Sequence, residues 1–137
     1  MSDLRIELAG RAVDAWNRRD LRWLQENATA DIEFVPAIAA TVDGSSVHGP
    51  EELIRFLEAM DESWESFRIE VEEFRLIGDQ VVGRGRVLAK GRGSGVELDQ
   101  PLGSLLSFEG DKIARLQSYL DPEEALAAAQ SGREGTA

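Results

Sequence analysis

Glu109-Gly110-Asp111-Lys112-Ile113-Ala114-Arg115-Leu116-Gln117-Ser118-Tyr119-Leu120-Asp121-Pro122-Glu123-Glu124-Ala125-Leu126-Ala127-Ala128-Ala129 is the stretch that decides the fold. Glu109-Gly110-Asp111 is a tight-turn signal between two apolar, alternating runs, which predicts an antiparallel hairpin of Leu102 to Phe108 with Ile113 to Leu120. The second strand is then stopped. Asp121 can accept bonds from the free amides of a new helix, Pro122 suits its first position, and Glu124 follows the cap by three residues. A long hairpin therefore runs directly into a short helix.

Upstream of the hairpin the period changes from helical to strand-like. Leu4, Leu8, Ala12, Ala15 and Trp16 recur at three- and four-residue spacing, the stripe of an amphipathic helix for which Ser2 is the expected cap. Asp20 is placed to cap a short second helix in which Leu21 and Leu24 face the same core and Trp23 flanks them. Ile32 and Phe34 alternate in a first strand that Pro36 limits to an edge or an ending. Ala37 to Ser46 reads as a loop before a very short strand at Ser46 to His48. Gly49-Pro50-Glu51-Glu52 then opens a third helix, with Leu53, Phe56, Leu57, Met60 and Trp64 as its apolar stripe. From Phe67 the period is two, and strands are predicted at Phe67 to Ile77, Gln80 to Lys90, Glu97 to Phe108 and Lys112 to Leu120. Three helices followed by a four-strand meander give an α+β layer architecture.

Composition narrows the function classes. One domain is expected from 137 residues, with residues 131–137 as a polar tail that has nothing to bury and is expected to be mobile. With 26 acidic and 15 basic side chains the net charge is −11, which argues against nucleic acid or an anionic membrane as the main partner. The chain has no cysteine, which excludes thiol chemistry, and one histidine, which excludes a multi-histidine metal site; no cofactor or metal motif is present. No apolar run approaches the roughly 20 residues that span a bilayer, and the opening Met-Ser-Asp-Leu-Arg lacks the apolar core of a signal peptide, so a cytoplasmic location is expected.

The hairpin turn, Tyr119-Leu120-Asp121 at the strand end and the alanine-rich helix resemble the tail of SnoaL-like proteins, within the nuclear-transport-factor-two-like (NTF2-like), or ketosteroid isomerase-like, superfamily. Ala15-Trp16-Asn17-Arg18-Arg19-Asp20-Leu21 resembles that superfamily's break between its first two helices, and His48-Gly49-Pro50-Glu51-Glu52-Leu53 its entry to the third. The similarity spans about residues 4 to 130. It implies a cone: a curved antiparallel sheet wrapped around three helices, with a small-molecule site at the open end. It also implies a homodimer through the outer sheet face.

Laying the family's hairpin on this chain sends Leu102, Ser104 and Leu106 inward, together with Leu116, Ser118 and Leu120. The same matching sends Val82, Arg84, Arg86 and Leu88 inward. Gly83, Gly85, Ala89, Gly103 and Ser107 then lie outside with Val81, Val87, Leu105, Ile113 and Tyr119, a flat surface that a second sheet could cover. Glycines that merely relieve sheet curvature are the other explanation.

The family's known chemistry does not transfer. By position, the tyrosine and two carboxyl groups of ketosteroid isomerases fall on Ala12, Val35 and Ser104. The histidine and aspartate of the SnoaL-type cyclases fall on Gly103 and Ser118. In limonene-epoxide hydrolases the catalytic aspartate also matches Ser118, and their Arg-x-Asp pair matches Arg84-Gly85-Arg86.

What remains is Arg84 and Arg86, which share one face of a strand. Facing inward, they would need anionic partners, supplied by Glu33, Asp99 or a ligand; facing outward, they would join Lys90 and Arg92 on a solvated surface. His48 is the one side chain that titrates near neutrality unperturbed. The candidate catalytic set is thus His48, Arg84 and Arg86. The candidate ligand-binding set is Trp16, Phe34, Phe56, Trp64, Gln100, Ser104, Leu116 and Ser118. The expected occupant is a small apolar or anionic molecule, which an isomerase, cyclase or hydrolase would transform and a non-catalytic binding or dimerisation module would only hold.

Overall fold

A computed structural model describes residues 3–36 and 47–135. Ser2, the loop expected over Ala37 to Ser46, and residues 136–137 lie outside them. Helix α1 (Asp3–Arg18) and the short α2 (Leu21–Glu26) lead into strands β1 (Ala28–Val35) and β2 (Val47–His48). Helix α3 (Gly49–Ser63) runs directly into β3 (Trp64–Ile77), followed by β4 (Gln80–Gly91), β5 (Glu97–Glu109), β6 (Lys112–Tyr119) and α4 (Pro122–Gly135). The expected helices and long strands are therefore present, and α4 continues past Gln130 to Gly135.

The strands form one sheet in the order β2-β1-β6-β5-β4-β3. It is mixed rather than antiparallel throughout, because β1 lies parallel to β6, with Phe34 opposite Leu116. Pro36 follows the last residue of β1, where its missing N–H costs no ladder bond.

Capping fixes the breaks in the chain. The Asp20 carboxylate accepts from the Trp23 amide at 3.2 Å, and that of Asp121 accepts from the Glu123 amide at 3.0 Å. Arg19 adopts φ 57°, a left-handed conformation uncommon outside glycine, and its guanidinium locks that turn. It donates to the Trp16 carbonyl and to both carboxylate oxygens of Asp61 at the end of α3.

Each sheet face is covered by different helices. On the inner face Ala9 and Ala12 of α1 pack on Val81, Leu106 and Ile113, while Trp16, Phe34, Leu53 and Leu57 close the end nearer α3. On the outer face Ala125 and Ala129 of α4 pack on Val82 and Leu105. Small residues allow that helix to lie close. A Cβ added to Gly103 would stand 2.8 Å from the Pro122 Cα and 2.9 Å from the Ala125 Cβ.

The alternation along β4 is opposite to that expected from the family's hairpin. Gly83 is opposite Ser104 and Val81 opposite Leu106, so Val81, Gly83 and Val87 face inward and Val82, Arg84, Arg86 and Leu88 outward. Gly85 explains why. A Cβ there would stand 1.9 Å from the Glu70 carbonyl oxygen, where an irregularity between Val71 and Glu73 brings the β3 backbone over it. Ile113, expected outside, is buried inside because a bulge between Ser107 and Phe108 shifts the count. Leu120, expected inside, lies beyond the end of β6 and is 44% exposed. The glycines thus do not make one flat outer face: Gly103 is covered by α4, and Gly83 and Gly85 belong to the inner side.

Strand β3 is the open edge of the sheet, and Asn17 occupies part of it. Its amide donates to the Ile69 carbonyl at 2.8 Å and accepts from the Ile69 N–H at 2.9 Å, as a neighbouring strand would. Asn17→Ala is expected to lower unfolding free energy by about 1–3 kcal/mol, since two partly buried backbone groups lose their partners. Urea denaturation measures the loss, and faster hydrogen exchange at the Ile69 amide localises it.

Candidate functional site

Between the inner sheet face and the helices lies a cavity with about 50 Å³ open to the centres of water molecules. Helix α1 contributes Ala12, Val13 and Trp16, β1 contributes Ile32 and Phe34, and the hairpin supplies Ser104, Leu106, Ile113, Leu116 and Ser118; Leu24, Ala28, Leu53 and Ile69 complete the wall. That volume is room for about three to five waters, or for a small fragment of a larger molecule.

Five of the eight expected ligand-binding residues line this cavity: Trp16, Phe34, Ser104, Leu116 and Ser118. Phe56 stands behind the wall, its ring 5.2 Å from that of Phe34 and 6.5 Å from that of Trp16. Trp64 is not on the α3 stripe. It begins β3 and packs its ring 6.0 Å from Phe67, outside the wall. Gln100 has the inward register, opposite Val87, but is exposed towards the end of its strand.

The wall is apolar apart from three side chains. Ser104 is 7% exposed and stands opposite Ser118 across the β5–β6 ladder. Neither hydroxyl has a hydrogen-bond partner among the described residues. The Trp16 indole Nε1 is likewise buried without a partner there. Buried polar groups are ordinarily paired, and of the three the Trp16 Nε1 is the fully buried one, while the two serine hydroxyls face the cavity.

The residues expected to carry chemistry lie elsewhere. Arg84 is exposed on the outer face, opposite Glu73, where it borders a shallow groove with Arg75, Val82, Pro122, Glu123 and Leu126. Arg86 also points outward, 41% exposed, with its Nε donating to Asp99 Oδ1 at 2.6 Å. The hydrogen bond and charge of Asp99 raise the guanidinium above its ordinary value, so it stays protonated at any relevant pH. The inward placement of both arginines is thereby corrected: inside, their charges would face a wall with no carboxylate.

His48 shares the outer face with Glu33 and Arg115. Its Nε2 is 3.6 Å from Glu33 Oε2, and Glu33 Oε1 accepts from Arg115 Nε at 2.8 Å. The imidazole is 61% exposed, and its backbone N–H donates to Glu52 at the start of α3. It anchors a helix entry and is not among the described residues that line the inner-face cavity. Among the described residues no cluster of His, Asp and Glu is placed to hold a metal, and no helix is long and apolar enough to cross a membrane.

This architecture has relatives of known structure. An NTF2-like protein of unknown function from Burkholderia pseudomallei K96243 superposes with a TM-score of 0.76 at 18% identity, over 90% of this chain and 95% of that one. TerC, crystallised with polyporic acid, gives 0.75 at 18% identity over 93% and 98%. A protein with a ketosteroid isomerase-like fold from Catenulispora acidiphila DSM 44928, in complex with trimethylamine, gives 0.69 at 22% identity over 88% of each chain. At these identities the likeness shows the fold. No functionally curated protein matches the sequence. The model of the SnoaL-like domain family matches residues 9–116, which span the cavity wall from Ala12 to Leu116, and the chain belongs to that family.

Proposed function

We propose that this chain is a small-molecule pocket protein that holds a neutral, predominantly apolar molecule, or one end of it, in the inner-face cavity. The observation that carries this reading is the composition of the wall, which is hydrocarbon and aromatic apart from two serine hydroxyls and one indole N–H. Such a lining rewards burial of apolar surface at about 25 cal/mol per Å² and penalises any charge brought inside. The anionic ligand considered from the sequence loses its basis once Arg84 and Arg86 are outside.

Binding is favoured over acid–base catalysis. Proton transfer to or from a substrate requires a titratable group within hydrogen-bond reach, and the described wall residues include none. The complexes of TerC with polyporic acid and of the Catenulispora protein with trimethylamine agree with small-molecule binding on this fold.

The test is a titration of the 15N-labelled protein with cyclopentanone, followed by NMR. Saturable shifts of the Trp16 indole resonance, assigned with Trp16→Phe, and of the Leu106 and Leu116 amides are expected. Absence of saturation up to millimolar probe, or shifts confined to outer-face residues, would overturn the reading. Arg84→Ala, Arg86→Ala and His48→Ala are each expected to leave the dissociation constant unchanged within about twofold, because none borders the cavity. They should also alter stability by less than about 1 kcal/mol, as exposed polar side chains do.

A further inference from the structure

Among the described residues Ser104 is the one buried polar residue of the core, and its hydroxyl faces the cavity without a partner among them. A strand serine normally bonds a backbone carbonyl or a neighbouring side chain, because an unpaired buried hydroxyl carries a desolvation penalty. Its cross-strand neighbour Ser118 faces the same cavity. Directly opposed residues of an antiparallel pair place their Cβ atoms about 4.5–5.5 Å apart. A single ligand oxygen seated between the two serines is therefore within reach of both.

We infer that Ser104 and Ser118 together form the polar recognition point of the cavity, selecting neutral molecules that present one hydroxyl or carbonyl oxygen on an otherwise apolar body. This rests on the proposed pocket function and adds the ligand class. A carbonyl oxygen takes a donated bond from each serine; a ligand hydroxyl accepts from one and donates to the other. A hydrocarbon leaves both unsatisfied. A carboxylate brings a full charge into a wall whose arginines lie on the opposite sheet face, so it is rejected even though it offers acceptors. The Trp16 N–H, on the α1 side of the same cavity, can donate only, which further disfavours cationic ligands.

The experiment compares cyclopentane, cyclopentanol, cyclopentanone and cyclopentanecarboxylate on the wild type, Ser104→Ala, Ser118→Ala and the double variant, using the same NMR titration. Each single change is expected to weaken cyclopentanol and cyclopentanone by about 2- to 10-fold, and the pair by more, while cyclopentane binding stays the same or tightens. Cyclopentanecarboxylate is expected to give no saturable shift on any of them. If the double variant binds the alcohol and ketone as well as the wild type does, the serine assignment is wrong while the pocket reading stands. If no probe binds the wild type, both fall. Thermal melting supplies a second readout. Removing an unsatisfied hydroxyl should leave the ligand-free melting temperature of Ser104→Ala equal to or above that of the wild type. A clear drop would show that the hydroxyl has an internal partner and would overturn the inference.

Discussion

The placement of Arg84 and Arg86 depends on how closely the β3 backbone crosses Gly85. With the Glu70 carbonyl oxygen 1.9 Å from where a Cβ would stand, no side chain fits on that side of residue 85. A strand alternates strictly, so this one exclusion turns Val81, Gly83 and Val87 to the helices and Arg84 and Arg86 to solvent. A shift of one residue would exchange the two sets. It would force two guanidiniums into an apolar layer, which costs several kcal/mol for each unpaired ion, so the register is held by charge.

Much of the architecture was legible because it is written in local chemistry. Asp20, Pro50 and Asp121-Pro122 mark helix starts through their capping and φ preferences, and Gly78 and Gly110 take the positive φ that their turns require. The hairpin parity was legible too, since Leu102, Ser104, Leu106, Leu116 and Ser118 all face inward. The parity of β4 was not. Val81, Val87 and Ala89 argue for one face and Val82 and Leu88 for the other, so apolar alternation alone is indecisive. The usable signal was charge: arginines with no inward carboxylate opposite them belong outside, and this outweighs positional matching to a distant family. The bulge that turns Ile113 inward has no mark in the sequence that distinguishes it from regular alternation.

The site of α4 was missed although its residues pointed to it. A helix whose buried positions, among the described side chains, are Ala125 and Ala129 presents almost no volume there, and it can approach a sheet closely only where the facing residue is also small. Gly103, flanked by buried Val82 and Leu105 on that face, is such a position, and the alanine stripe and the strand glycine are two halves of one contact. The same glycine had suggested a second subunit as the covering partner. Covering by the chain's own helix satisfies the packing requirement within one molecule. The nearby outer surface that remains carries Arg84, Arg86, Glu73 and Arg75, which suits solvent better than a dry interface.

The two departures of this chain from the chemistry of the proteins it resembles are one physical choice. Where the resemblance places carboxyl groups, the cavity holds Ser104 and Ser118, and where it places an arginine and an aspartate, Arg84 and Arg86 sit on the far side of the sheet. A buried carboxylate in this wall would have no cation within reach, because Arg84, Arg86, Arg115 and Arg19 all point to the exterior or bond carboxylates there. It would therefore take up a proton or destabilise the fold. Conversely, an inward arginine would have no anion to meet. Neutral hydroxyls are the polar groups that such an interior can hold at modest cost while still offering donors and acceptors to a ligand. In the proposed pocket, discrimination would therefore rest on hydrogen bonds to uncharged oxygen, since the described wall carries no charged side chain.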